Sequence, residues 1–461
     1  MSAVEVRILF REVEYRGVWW LPEDPGRKIG GTLKFSPSEG IRLELAGALE
    51  GTVALSKPFA PELIFGSVPE KGPVTLYRCL ETNRLISAGE ISDIVAEIAF
   101  FGAHIDPQQD TFSFVRVEAE GLDLWANIIW FEFPELQELL SRSFSIRFHR
   151  PSPLEARLSD GTKIVLEVKL VGPKRSWIQT EVKLRRNTVA IVVPPLPRSL
   201  GESLEASQAM LDFVSLGLLH PVAPNLIKGA IEDKGREVEI LYKVSGYTPI
   251  NVANLNPYAT LFILADIHEH FQDVICNWFD MRERLKPVLT MYFATIRAPE
   301  MYIETRFLNI VHALEAFHRL VIGGYELPED EHQERVDEIL GTAPTKWREW
   351  LMKKLEYSNE LSLRTRLKKI CEMFPYVSSR LIGNREERKR FICQVVDTRN
   401  YLIHHDPKLE KTASQGPSLF YLTEKLKVLV ECCLLRELGF SNEWISERIG
   451  RARLDQMPRV R

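Results

Sequence analysis

The feature that most limits what this chain can fold into is a change of period. Between Val4 and Pro197 apolar residues recur at every second position, whereas from Pro299 to Leu438 they recur on a helical period with few breaks. A period of two fits strands that bury one face, and a period near 3.6 fits helices that bury one stripe. No single layer satisfies both, so the chain must hold separately built regions.

The alternation is clear at Val4, Val6, Ile8 and Phe10, at Ile41, Leu43 and Leu45, and at Ile164, Leu166, Val168 and Leu170. Turn-forming clusters at Pro37–Gly40, Ser159–Gly161 and Gly172–Pro173 separate such runs, as in antiparallel meanders. Residues 1–197 are therefore expected to form a β-rich N-terminal domain, an antiparallel sandwich or an open barrel. The run Pro194-Pro195-Leu196-Pro197 is expected to end it. Residues 198–296 read as a mixed, mainly helical connecting region. It has helices at Leu204–Leu218 and Pro257–Leu285 and a hairpin around Glu237–Val244. Residues 297–445 have the size of one all-α bundle, and 446–461 form a basic tail with five arginines, expected to lack order. The fold class is multidomain α+β, in keeping with a chain of 461 residues.

A composition of 45% hydrophobic and 26% charged residues is that of ordinary globular material. No apolar run is long enough to span a bilayer, and the opening MSAVEVRILF lacks the regions of a signal peptide. The six cysteines show no C-x-x-C spacing, so neither a zinc site nor a disulfide framework is indicated. These features lead us to expect a reduced cytoplasmic protein that carries no metal or cofactor. The net charge of −4 averages over uneven segments: Glu326–Glu338 is acidic, while 346–390 has 13 Lys and Arg against 6 Asp and Glu. Such blocks are either solvated helix faces or, for the basic one, a surface that tracks phosphates.

One short segment carries recognisable chemistry. Arg399-Asn400-Tyr401-Leu402-Ile403-His404-His405 closes a helix expected to begin near Arg385 and to stop close to His405, because Pro407 disfavours helical backbone at Asp406. At about 100° per residue, Phe391, Ile392, Val395, Val396, Leu402 and Ile403 share an apolar face with Arg399 near its middle. Asp397, Asn400 and His404 fall on the other side. A guanidinium on a packed face needs a carboxylate. The expected partner is Glu315, at the edge of the stripe Phe307, Val311, Leu314, His318 and Val321 on the first helix of the bundle.

Arginine and histidine in this setting suit phosphodiester chemistry. A histidine titrates near neutrality and can move the 2′-hydroxyl proton or protonate a leaving 5′-oxygen. The arginine fork can meet the charge that builds on a phosphate. Asn400, one turn before His404, could orient the imidazole or the phosphate, and the neighbouring His405 could share the role of His404. Arg399 and His404 nonetheless project about 140° apart on an ideal helix.

The pattern Arg-Asn-x-x-x-His resembles the signature of the HEPN superfamily, helical domains many of which are metal-independent endoribonucleases. Phe307-Leu-Asn-Ile-Val-His-Ala-Leu-Glu-Ala-Phe-His318 resembles the first HEPN helix of the ApeA family of bacterial anti-phage proteins, and Asp397–Asp406 resembles its catalytic segment. Gly17-Val-Trp-Trp-Leu-Pro22, Ile29–Leu33 and Gly40–Leu45 resemble the opening of the ApeA N-terminal domain. The resemblance implies an abortive-infection ribonuclease acting on RNA, host transfer RNA in particular, with Arg399, Asn400 and His404 in the site. It also implies a homodimer with both motifs in one cleft, and an N-terminal region that restrains or triggers the nuclease on a phage signal. Two alternatives differ in class: a catalytically silent HEPN module that binds RNA or nucleotide or scaffolds a complex, and a carbohydrate- or peptide-binding β module with a helical dimerisation domain. Trp19 and Trp20 either pack the β domain or face a ligand.

Overall fold

A computed structural model describes residues 12–455, apart from 51–57, 86–90, 127–130, 133–144, 146, 150, 173–183, 233–234, 245–258 and 299. The expected strand at Val4–Phe10, the turn at Pro173 and the helix start at Pro257 lie outside the described residues. The chain divides into two compact units, Met1–Cys276 and Asn277–Arg461.

The first unit is built on one antiparallel sheet. Its first strands are β1 (Val13–Trp20), β2 (Ile29–Ser36), β3 (Gly40–Leu45), β4 (Leu63–Val68), β5 (Gly72–Leu85) and β6 (Ile91–Phe101). Hydrogen bonding runs β6-β3-β2-β1-β4-β5 and returns from β5 to β6, so these six strands form a closed barrel. Trp19, Leu33, Phe35, Leu43, Ile64 and Leu76 fill it. Trp19 is wholly buried and Trp20 nearly so, with Lys28 over the Trp20 ring, which agrees with packing roles for both. Gly66 makes room for this core: a Cβ there would stand 2.2 Å from the Trp19 ring.

The sheet continues beyond the barrel through β7 (Phe112–Glu118), β10 (Leu154–Arg157), β11 (Lys163–Val171), β12 (Arg185–Val193), β13 (Leu226–Ile231) and β14 (Arg236–Tyr242). A separate small pair is formed by β8 (Phe131–Glu132) and β9 (Arg147–Phe148). From β6 the order is β14-β13-β7-β12-β11-β10. Helix α1 (Glu120–Trp125) and helix α2 (Leu200–Leu218) lie against this extension, where Trp125, Phe213 and Phe262 meet edge to face or tilted. The β region thus does not end at Pro194–Pro197. Proline interrupts ladder pairing locally, but after α2 the chain returns and β13 pairs with β7. The segment expected to be a hairpin at Glu237–Val244 supplies the second strand of one, β13–β14.

In place of a single helix over Pro257–Leu285 the chain forms a short α3 (Leu264–Ile267), a tight turn at His268–His270 and α4 (Phe271–Arg284). The helical unit continues with α5 (Lys286–Arg297), α6 (Ile303–Phe317), α7 (Glu329–Thr342) and α8 (Thr345–Leu355). It is completed by α9 (Leu363–Met373), α10 (Pro375–Leu381), α11 (Arg385–His404), α12 (Gly416–Glu437) and α13 (Asn442–Ile449). Helix α6 packs on α5 and α12, whereas α7 and α8 bury no residue. No helix among the described residues is long and apolar enough to cross a membrane.

A buried carboxylate sits inside this unit. Glu431 of α12 has no exposed surface and accepts hydrogen bonds from Tyr292 Oη at 3.2 Å and from Arg453 Nε and Nη2, both at 2.8 Å. Arg453 lies on a π-helical turn, Gly450–Leu454, so the expected loose tail is instead folded as far as this anchor. Apolar burial alone does not specify it; a charge that needs a partner does. Removing one partner of such a pair costs about 3–5 kcal/mol. Arg453→Met should therefore lower unfolding free energy by roughly that amount in urea titrations, and Arg453→Met with Glu431→Leu should recover much of it.

His318, another residue of the first-helix stripe, is also fully buried. Its Nδ1 lies 3.4 Å from Arg366 Nη1, a group that can only donate, so the ring accepts there and is neutral. Burial, with Arg366 adding to it, pushes its pKa down to about 4. The unfolded chain therefore binds this proton at a higher pH than the folded one. This contribution to stability is complete above the ordinary histidine range near 6.5 and is lost as pH falls toward 4. Denaturation midpoints should fall across that window, and His318→Phe should flatten the fall.

Candidate active site

Helix α11 positions the motif. Asn384 caps its start, accepting from Glu386 and Glu387 backbone N–H groups at 3.0 Å each while Glu387 accepts from the Asn384 N–H at 2.7 Å. The helix ends at His404, as Pro407 requires, and His405 closes it in the left-handed region with φ 51°. The His405 N–H donates to Tyr401 O at 2.7 Å, and its ring meets Tyr401 edge-on. Glycine is the residue usually favoured at such a position.

The buried face is narrower than the periodicity implies. Phe391, Ile392, Val395 and Thr398 are buried, Val396 and Leu402 only partly, and Ile403 is 40% exposed. Period alone cannot tell where the neighbouring helices stop, and the last turn of α11 runs past them. Thr398 was not singled out in the sequence, yet it organises this end. Its hydroxyl donates to Gln394 O at 2.7 Å and accepts from the Ser414 N–H at 2.9 Å, while Gln394 Nε2 donates to Ser414 Oγ at 2.8 Å. The segment after Pro407 is thereby fastened back onto the helix. A threonine one residue before the arginine was the available signal.

Arg399 lies at the edge of the core, 25% exposed. Its Nη2 stands 3.8 Å from Glu315 Oε2 on α6, the carboxylate expected from the sequence. Its Nη1 donates to Asn400 Oδ1 at 3.0 Å, and its Nε is buried without a hydrogen-bond partner among the described residues. Asn400 is thus engaged with the arginine and not with the imidazole one turn later. His404 is exposed and makes no hydrogen bond among the described residues; Asp397 is half-buried. Arg399, Asn400 and Glu315 form one group, and His404, one turn after Asn400, projects about 140° from Arg399 on an ideal helix.

Comparison with known families adds to this geometry. The model for ApeA N-terminal domain 1 matches residues 14–278, more than half of the chain. This chain belongs to the ApeA family. The Apea-like HEPN model matches residues 308–443, which contain α11 and most of α6. Membership points to an anti-phage protein with a C-terminal HEPN domain. No curated protein and no solved structure matches the chain.

In this ApeA-family protein Glu315 is a part-exposed partner, so its ion pair should contribute little to stability. Glu315→Gln should lower unfolding free energy by less than about 1 kcal/mol. A loss of several kcal/mol in thermal or urea unfolding would assign the pair a structural role in the core.

Proposed function

We propose that this protein is a metal-independent endoribonuclease of anti-phage defence that cleaves RNA, host transfer RNA in particular, during abortive infection. The observation that carries this reading is the held guanidinium of Arg399, oriented by Asn400 and Glu315 on the helix whose end exposes His404. Oriented cationic donors beside a titratable group are what transphosphorylation needs.

In the reaction the 2′-oxygen attacks the adjacent phosphorus and loses its proton to a base, and the P–O5′ bond breaks as the 5′-oxygen gains a proton. His404 is assigned this proton transfer, in one direction or the other. Arg399 is assigned the charge on the non-bridging oxygens, and Asn400 fixes the plane of its fork. The products are a 2′,3′-cyclic phosphate and a 5′-hydroxyl. A homodimer that places two motifs in one cleft would let the arginine of one protomer serve the histidine of the other, which answers the 140° divergence on an ideal helix. The exposed Ile403 gives this helix end an apolar contact surface suited to such pairing. His405, committed to closing the helix, is assigned no proton transfer.

Cleavage of labelled RNA by purified protein tests the assignment. Arg399→Ala and His404→Ala should each lower the rate by about 10²–10⁴-fold with the fold intact. Asn400→Ala should lose less, and His405→Gly should cleave like wild type. Chelator should not inhibit. Inhibition by chelator, or cleavage that survives in both alanine variants, rejects the mechanism. In cells challenged with phage, the same variants should lose protection. Deleting residues 1–276, the first compact unit, to which we assign the sensing of phage, should give His404-dependent toxicity without phage.

A further inference from the structure

Beside the motif lies a second feature that the proposed chemistry does not use. Helices α9 and α11 enclose a groove of about 480 Å³. Arg364 and Lys368 line it from α9, and Arg385, Arg388 and Lys389 line it from α11. Among the described residues two carboxylates share the groove. Glu372 stands 3.9 Å from Lys368, and Glu386 lies in the first turn of α11. Among the described residues none of Arg364, Arg385, Arg388 and Lys389 is paired with a carboxylate; Arg364 donates to Cys393 Sγ at 2.9 Å. A concave surface with unneutralised cations attracts a polyanion.

The helical phase links this groove to the motif. Taking about 100° per residue, Arg385, Lys389, Ile392, Val396, Asn400 and Ile403 fall within an arc of about 80° on α11. Arg399 borders that arc on one side and His404 on the other. A strand lying along the arc would leave the groove and pass between the two side chains, about 21 Å from Arg385 to Arg399 along the axis.

We propose that the α9–α11 groove is the subsite that holds the phosphates of single-stranded RNA on one side of the scissile bond and delivers the chain to Arg399 and His404. The proposal rests on the ribonuclease reading. Its test is a binding measurement that needs no cleavage: full-length His404→Ala protein, fluorescein-labelled single-stranded RNA, and anisotropy across a series of potassium chloride concentrations. Adding Lys368→Gln, Arg388→Gln and Lys389→Gln should raise Kd at least ten-fold. It should also reduce the slope of log K against log salt by about 2, since each lost phosphate contact removes about 0.7 for a single strand. An equal charge loss on α8, by Lys346→Gln, Lys353→Gln and Lys354→Gln, should leave both nearly unchanged. If the triple groove variant fails to fold by circular dichroism, Lys389→Gln alone should reduce the slope by about 0.7. Equal Kd and slope for groove and α8 variants overturn the groove, as does an absence of RNA binding by the parent. Cleavage by wild type that disappears in His404→Ala keeps the ribonuclease reading in either case.

Discussion

A carboxylate with no access to water must be matched by positive charge and hydrogen bonds, and Glu431 imposes that condition on the helical unit. Arg453 and Tyr292 meet it from two directions, one from the last described turn of the chain and one from α5. The cause is visible in the tyrosine as well, whose phenol is held well above its ordinary range by burial and by the nearby carboxylate. Helix α12 is fixed in rotation by this requirement, because turning it would strand the charge. Helix α6 packs on α12 and presents Glu315, and Glu315 with Asn400 sets the direction of Arg399. The orientation of the motif arginine thus depends on a network three helices deep.

What could be read from the sequence was local or pairwise. The end of α11 followed from Pro407, the strands β3 and β11 from alternation, and the Arg399–Glu315 approach from the need to match a guanidinium on a packed face. The candidate site was legible for the same reason: an arginine, an asparagine and a histidine at the end of one helix are close in the chain.

What could not be read depends on partners far apart in sequence. Nothing near Pro197 announces that β13 will return to pair with β7, since α1, α2 and the strands β8 to β12 lie between the two in the chain. In the sequence Arg453 is one basic residue among several, and its value lies in Glu431, 22 residues earlier and buried against it. The same holds for Thr398, whose value lies in the Ser414 N–H it receives. The closure of the barrel is another such case, for it is decided by β5 and β6 pairing while β6 also pairs with β3.

That double pairing has a mechanical consequence. Strand β6 gives Ser92–Ala96 to β3 within the barrel and Ile98–Phe101 to β14 in the open extension. One continuous strand therefore belongs to both the barrel and its extension, and the barrel has no seam at which it could be cut away. A truncation after β6 would leave Ile98–Phe101 short of one neighbour, an edge of the kind that recruits foreign strands. A force applied to either the barrel or the extension would be carried directly into the other through β6.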